Sequence, residues 1–446
     1  MPQPIQTIKR VLQGPPLPPE AIDTYRFHRL YAVMDAAAGG ILLNTPIYAL
    51  KILEASEWQL PMRELGAGIG MLGGLYMGSW MARRPKMPFV VIPGVICAAF
   101  ALSMALVQRS SFWFLLLLTI SAAFEIVTRP AVTAILRFNY PVECRAAAVG
   151  DVRRWSSLAF LVASFLSAYD YHNAGQNIAF HVRTQILLAG SLSLGSFLCF
   201  RMIRVREQPA CRNLQPELLR CLKESLLIVL RDRRYCRYLA GCFLDGSSQL
   251  LYYSMLWAFF DRTLGYGFFG CVMLMHTLPA MMAFLVTGAF GRWVDRTNPW
   301  LAWALVRFCW GADALLLAAT PFCAALLPPA LYILPVTGRL IRGSVQGAWW
   351  IMWWQIGVTY FAPPGEDTSR YMGIMTFLNG ATRLAGSGLS VALGALGVPP
   401  IAMMLIGGAG VLASGAYSLL LAYYQQHQHV PETIAQFEHQ FNSTGR

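Results

Sequence analysis

Charged residues are scarce in this sequence of 446 residues, in which only 13% are Asp, Glu, Lys or Arg. Hydrophobic residues make up 56%, and the mean hydropathy is +0.48, values that are not typical of a water-soluble protein. The composition therefore argues against a soluble enzyme or binding domain. It predicts that lipid surrounds most of the chain.

Motifs for metal binding, catalysis and nucleotide binding are also missing. The ten cysteines include no Cys-x-x-Cys pair, and no histidines stand at metal-ligand spacing, so we expect no metal. The apolar segments contain no His-Glu-x-x-His, no Gly-x-Ser-x-Gly and no phosphate-binding loop, so we expect no enzyme, no catalytic residues and no cofactor. The net charge of +13 forms no basic stripe with interleaved aromatics, which argues against nucleic acid as a partner.

Long apolar stretches are what the sequence does contain. Hydrocarbon about 30 Å thick needs about 20 apolar residues per helix, so each stretch predicts one transmembrane helix. The predicted spans are 28–50, 63–82, 87–107, 111–136, 147–169, 182–203, 236–259, 267–290, 299–320, 329–354, 370–396 and 399–424. Residues 1–23 are polar and Pro-rich, so we expect the first span, rather than a cleaved signal peptide, to direct insertion. The glycines in 66–74 predict close helix contacts.

Lysine and arginine are distributed unevenly between the two sides of the predicted membrane. With the N-terminus inside, the outer loops hold only Lys51, Arg63, Arg109, Arg183 and Arg262, whereas most of the 35 basic residues lie in inner segments. Because cytoplasmic loops retain Lys and Arg, both termini are predicted to be cytoplasmic. The pattern fits a bacterial inner membrane.

The longest polar break divides the predicted spans into two sets of six. We expect an N-terminal bundle at 1–203, a linker at 204–234, a C-terminal bundle at 235–426 and a cytoplasmic tail at 427–446. Leucines at helical spacing from Leu218 to Leu230 predict an amphipathic helix on the inner membrane face. A merely solvated linker is the alternative.

The two sets of spans resemble each other in sequence, as duplicated transporter halves do. Segment 26–30 before Asp35 resembles 234–238 before Asp245, and 78–83 resembles 291–296. Pro141 and Arg145 precede the fifth span as Pro364 and Arg370 precede the eleventh. Because these correspondences occur in the same order, they indicate an internal repeat.

These features resemble the major facilitator superfamily, in which each half carries Gly-x-x-x-Asp-Arg after its second helix. Gly291, Asp295 and Arg296 match this motif in the second half, whereas Ala82 replaces the acid before Arg83 in the first. The resemblance implies an all-α fold of twelve transmembrane helices in two six-helix bundles. It also implies that Asp295 and Arg296 hold the cytoplasmic ends of the bundles together. The antiporter signature of the fifth helix is absent from 156–169.

Ionisable residues within the predicted spans are functional candidates, because a buried charge in lipid is costly without a partner. They are Asp35, Glu125, Arg129, Asp245, His276, Arg307, Asp313, Arg339, Arg342 and Arg383. At about 1.5 Å of rise per residue, Arg339 and Arg383 lie near the middle of their spans. The family resemblance implies that their helices, like those of Asp35 and Asp245, line a central cavity.

We interpret this predicted cavity as an anion site with a proton-linked acid. Arg339 and Arg383 would contact the anion, and polar residues at helical spacing, Asn379, Gln249 and Tyr253, would share its lining. The candidates for carrying a proton are Asp35, Asp245 and His276, whose imidazole can titrate near neutrality. The alternative for the arginines is an Arg to Asp ion pair that joins helices and binds no ligand.

Glu125 and Arg129, four residues apart, are predicted to form an internal ion pair or gate element. We group them with Arg83, Gly291, Asp295 and Arg296 as the cytoplasmic gate. Arg307 and Asp313 are interpreted as packing charges on a peripheral helix.

The sequence therefore predicts a monomeric transporter that moves a small organic anion with a proton by alternating access. One alternative is an exporter of hydrophobic or cationic compounds, with Asp35 and Asp245 as cation contacts. A non-transporting membrane sensor or assembly partner is a further alternative, suggested by Ala82.

Overall fold

The computed structural model describes residues 17–73, 81, 84–107, 109–205, 218–294, 297–352 and 368–428. Within these ranges the chain is helical and contains no strand. The predicted all-α class is therefore confirmed.

Seven α-helices make up the N-terminal half in the described part of the chain. They are α1 (Pro19–Leu42), α2 (Thr45–Lys51), α3 (Met62–Leu72), α4 (Pro88–Ser103), α5 (Ser111–Asn139), α6 (Val142–Asn173) and α7 (Ile178–Arg201). Short 3₁₀ helices lie at Glu57–Gln59, Met104–Leu106 and Gly175–Asn177.

The C-terminal half follows the linker helix α8 (Leu218–Arg231). Its helices are α9 (Arg233–Tyr253), α10 (Leu256–Ala258), α11 (Phe268–Val272), α12 (Leu278–Val294), α13 (Pro299–Leu326), α14 (Ala330–Ile351), α15 (Thr368–Ala395) and α16 (Pro400–Gln428). Two π-helical turns, Phe259–Thr263 and Met273–Thr277, extend α10 and join α11 to α12.

Each of the twelve predicted spans overlaps a helix among the described residues. Seven described helical segments are long and apolar enough to cross a membrane, by length and composition. Several helices are longer than the apolar stretch that predicted them: α6 begins at Val142 and ends at Asn173, beyond both ends of 147–169. Polar residues continue these helices into the membrane–water interface. Hydropathy does not mark the helix ends there, because the residues are no longer apolar.

The first and seventh spans are each broken by a turn. Leu43 and Asn44 separate α1 from α2, and Thr45 Oγ1 donates to Leu42 O at 2.7 Å. Because Pro46 has no backbone N–H, it leaves a carbonyl of the preceding turn without its usual helical donor. In the seventh span the corresponding turn lies at Ser254 and Met255.

Helices pack mainly within their own half. In the N-terminal half α1 packs on α6 and α7, and α5 packs on α3 and α4. In the C-terminal half α13 packs on α14 and α16, and α9 packs on α15 and α16. The largest buried apolar cluster lies mainly in the C-terminal half, where it includes Trp303 and Trp310, and it extends to Ile47 and Leu50 of α2.

Alternating helix directions give the molecule two ends. The loops at 52–61, 107–110, 174–177, 264–267, 327–329 and 396–399 share one end, called here the loop end. The linker helix α8 lies at the other, the linker end. Ile228 and Val229 of α8 pack against the C-terminal half, whereas Leu226 and Leu230 are exposed. A helix is thus present in the predicted linker, and its placement on the membrane surface stays a prediction.

Candidate functional site

Polar contacts join the two halves at the loop end. Lys51 Nζ, at the end of α2, donates to Asp261 Oδ1 in the π-helical turn after α10. Beside this pair, Arg262 donates to Glu57 Oε1 and to Ala55 O, each at 3.0 Å. Helices α2 and α10 also touch each other. The loop end is therefore held closed by contacts between charged groups of opposite halves.

Helices α3 and α15 cross between the halves at two glycines. A Cβ atom on Gly380 would come within 2.8 Å of Gly68 O and of the backbone nitrogen of Leu72. Only glycine permits backbones to approach this closely. The predicted role of the glycines in 66–74 as close contacts is confirmed here. Gly68 meets α15 of the other half, whereas Gly66 and Gly70 meet Thr119 and Ala123 on α5 of their own half.

Arg383 lies next to this crossing and forms an ion pair between the halves. Its Nη1 donates to Glu64 Oε2 on α3, while Arg63 Nη1 donates to Glu64 Oε1 at 2.7 Å. The side chains of Arg63, Glu64 and Arg383 are 20%, 15% and 22% exposed. These side chains are therefore partly buried, and we call them the Glu64 cluster.

Two carboxylates share one guanidinium inside the N-terminal half. Arg129 Nη2 donates to Glu125 Oε1 at 2.5 Å and to Asp35 Oδ2 at 3.4 Å. Glu125 also experiences the charges of Arg63 and Arg383, so this group lies beside the Glu64 cluster. The predicted ion pair of Glu125 and Arg129 is present. Asp35 joins it with the longer contact.

A second set of charges is buried inside the C-terminal half. Arg339 on α14 pairs with Asp313 on α13 through Nη2 and through Nε, which donates to Oδ1 at 3.0 Å. Both side chains are 0% exposed, so a ligand cannot reach them in this conformation. Arg339 therefore forms the Arg to Asp ion pair given above as the alternative to an anion contact. It does not contact a substrate in this conformation.

Asp245 is also paired away from any ligand. Its Oδ2 lies 3.7 Å from Arg307 Nε, and both side chains are 2% exposed. Arg307 donates in addition to Ser418 Oγ and to Ser414 O on α16. The pair therefore joins α9, α13 and α16, which agrees with the interpretation of Arg307 as a packing charge and not with a proton-carrying role for Asp245 in this conformation.

Arg342 connects the buried charges to polar residues of α9. Its Nη1 donates to Tyr252 Oη at 3.0 Å and lies 3.8 Å from Asp313 Oδ2. The guanidinium stacks 4.7 Å from the ring centre of Tyr253, and Gln249 Oε1 accepts from it when its amide faces Arg342. Gln249 and Tyr253, predicted as cavity residues, thus lie together on one arginine.

His276 lies at the contact between the halves. Its Nε2 donates to Leu43 O at 3.3 Å, at the turn that breaks the first span. The rings of Phe160 and Trp257 pack edge-on against the imidazole. The histidine is therefore a buried bridge from the π-helical turn before α12 to the N-terminal half.

The remaining predicted residues contribute little to the described geometry. Asn379 is half-buried on α15, and its carbonyl accepts from Thr382 Oγ1 at 2.8 Å. Gly291 belongs to α12. Arg83, Asp295 and Arg296 lie outside the described residues, so the predicted cytoplasmic gate is not visible as a whole.

Sequence reasoning missed the Glu64 cluster. Arg63 was predicted to lie in an outer loop. Glu64 stands at the edge of a predicted span, where water can solvate a charge, so it was not chosen as a functional candidate. The position of Arg63 and Glu64 directly before the glycines at 66–74 could have indicated the cluster. Close helix contacts at such glycines place neighbouring charges beside residues of the facing helix.

Two halves of membrane-length helices, with charged residues between and inside them, define a polytopic integral membrane protein of the transporter class. The profile of the Major Facilitator Superfamily matches residues 65–387. The chain therefore belongs to this family, as the sequence motifs predicted.

Solved transporter structures share the fold over nearly their whole length. A D-xylose-proton symporter superposes with a TM-score of 0.62 at 11% identity, covering 90% of this chain and 97% of that chain. The nucleoside transporter NupG gives 0.60 at 13%, covering 90% and 97%. A bacterial homologue of the human lysosomal transporter Spinster, in an inward-facing and occupied conformation, gives 0.60 at 13%, covering 92% and 98%. A comparison with curated proteins gave no match.

Proposed function

We propose that this protein is a secondary transporter that works by alternating access. The observation that supports this most is that most helices pack within their own half. The halves meet through ion pairs, the α3–α15 glycine crossing and apolar contacts of α2 and α6. Contacts of this kind can separate and form again while each half stays intact.

The excess of basic residues at the linker end supports a cytoplasmic location for that end, in a bacterial inner membrane. With that orientation the closed loop end faces outward.

The proposed substrate is a small organic anion. Arg383 supports this, because it is a partly exposed arginine between the halves, with Arg63 nearby. Guanidinium groups bind carboxylates through paired hydrogen bonds, which suits them to this substrate class. Arg383 therefore remains the proposed anion contact.

Asp35 is the proposed proton carrier. Asp35 and Glu125 compete for the guanidinium of Arg129, and Asp35 makes the longer contact. Uptake of one proton by Asp35 would end this competition and leave Arg129 to Glu125. Loss of the proton would restore a carboxylate that competes for Arg129.

The proton role predicts a specific loss in Asp35→Asn. In vesicles containing a pH-sensitive dye, we expect wild-type protein to couple proton entry to uptake of lactate, succinate or benzoate. Asp35→Asn should abolish the pH change but keep exchange of labelled anion across the membrane, because the amide cannot release a proton. Asp23→Asn, at an exposed site on the same helix, serves as the control.

Other results of this assay would contradict parts of the proposal. Proton movement driven only by cationic compounds would favour the exporter alternative. The absence of flux with every compound would favour a non-transporting protein. A normal pH change in Asp35→Asn would exclude Asp35 as the carrier.

The loop-end ion pair predicts an effect of charge reversal. Lys51→Glu should place two carboxylates together and open the loop end, because like charges repel where Lys51 met Asp261. The double variant Lys51→Glu with Asp261→Lys should close it again. The distance between spin labels at Asn173 and Leu326, in a cysteine-depleted background, reports the change. Equal distances in the single and double variants would contradict a gating role for the pair.

A further inference from the structure

The carboxylate of Glu64 is divided between two arginines. Oε1 accepts from Arg63 at 2.7 Å, and Oε2 accepts from Arg383. Arg63 and Glu64 are neighbours on α3, whereas Arg383 belongs to α15 in the other half. The two guanidiniums thus hold one carboxylate from two sides, an arrangement that any carboxylate of suitable size could take up.

An unused hydrogen-bond donor in this cluster favours an additional or replacement anion. Among the described residues, Arg383 Nε is buried and has no hydrogen-bond partner. A buried donor without an acceptor is costly, so the cluster has an unused donor for a further anion oxygen.

Accessibility separates this cluster from the buried arginine pair of the C-terminal half. Arg339 and Asp313 are completely buried, whereas Arg63, Glu64 and Arg383 keep partial exposure. Of the two, only the Glu64 cluster presents side-chain surface that a ligand between the halves could contact.

We propose that Arg63 and Arg383 form a carboxylate-binding site that Glu64 occupies as an internal competitor when the loop end is closed. The carboxylate of the substrate replaces Glu64 there. This inference rests on the proposed transport of an organic anion, and it names the group that the anion displaces.

Displacement of Glu64 links binding to opening of the loop end. Glu64 connects α3 to α15 within one turn of the Gly68–Gly380 crossing. Once a substrate carboxylate takes over Arg383, the ion pair no longer joins the two helices, and the crossing loses its polar contact. The exchange leaves the number of carboxylates on the arginines unchanged, so neither guanidinium is left unpaired.

Chemical rescue tests the site with a known probe. Glu64→Ala leaves a carboxylate-sized space between two guanidiniums, so acetate should raise the melting temperature of this full-length variant in a saturable way. Acetamide, which has the same size and no charge, should not. In the matched variant Glu64→Gln the amide fills the space, so acetate should have no effect beyond that on wild-type protein.

If Glu64→Ala does not fold alone, purification in acetate should recover it and purification in acetamide should not. Equal effects of acetate and acetamide on Glu64→Ala, in either format, would overturn the assignment of the site.

Competition is tested separately in vesicles. Removal of the internal competitor in Glu64→Gln should lower the half-saturating succinate concentration by about tenfold, because the site is no longer occupied for most of the time. An unchanged half-saturation would overturn the competitor role. Rescue of Glu64→Ala by acetate without any anion flux would support the binding site but contradict the proposed transport. Anion flux without rescue would support transport but contradict the binding site.

Discussion

Asp313→Ala is expected to lower the free energy of unfolding by about 3 to 5 kcal/mol, the cost of leaving a buried charge without its partner. Asp313 pairs with Arg339 and lies 3.8 Å from Arg342, and these arginine side chains are 0% and 7% exposed. Alanine would leave two guanidiniums facing each other in an apolar interior. Unfolding of the purified protein in detergent, followed by tryptophan fluorescence, measures the change.

The exposed pair of Arg26 and Asp23 provides the matched control. Its atoms are 4.0 Å apart and its side chains are 73% and 86% exposed, so Asp23→Ala should have no measurable effect. Adding Arg339→Leu to Asp313→Ala should restore part of the lost stability, because it removes one of the unpaired charges. Equal unfolding of Asp313→Ala and Asp23→Ala would show that the buried pair does not hold α13 and α14 together.

Gly380→Val should force the loop end open. The first added carbon would meet the backbone of α3 at 2.8 Å, and backbone atoms cannot turn away as a side chain can. The helix axes would have to separate by about 2 to 3 Å, within the range over which side-chain size sets helix spacing. The spin-label distance between Asn173 and Leu326 should increase, and proton-coupled anion uptake should be lost because closure is required for each cycle.

Gly39→Val is the control for the steric effect of Gly380→Val. Gly39 also lies inside a membrane helix, but a Cβ there would meet no atom within 4 Å. Both variants carry the same helix-propensity change from glycine to a β-branched residue. A wider label distance in both variants, or in neither, would contradict the role of the α3–α15 crossing.

The sequence predicted the helices well because apolar length is a local property. Every predicted span overlaps a helix, and the glycines in 66–74 lie at a close helix contact as expected. The helix ends were less predictable, since polar residues extend α6 at both ends without changing the apolar pattern.

The partners of the charged residues could not be predicted in the same way. Arg339 and Asp313 are 26 residues apart, and Arg383 and Glu64 are 319 apart, so no spacing along one helix relates them. Sequence reasoning identified Arg339 and Arg383 as equivalent candidates. Their burial separates them, because one faces a neighbouring helix of its own half and the other faces the opposite half.

The turns that interrupt the first and seventh spans suggest how the contact that closes the loop end arose. One turn follows Asp35 by eight and nine residues, and the other follows Asp245 by nine and ten, so the short helices α2 and α10 are counterparts in the two repeats. These counterparts touch each other at the loop end. Two copies of one six-helix ancestor, related by a two-fold axis, would make this same isologous contact. The closure of the loop end is therefore of the kind that a homodimer provides before its subunits are fused into one chain.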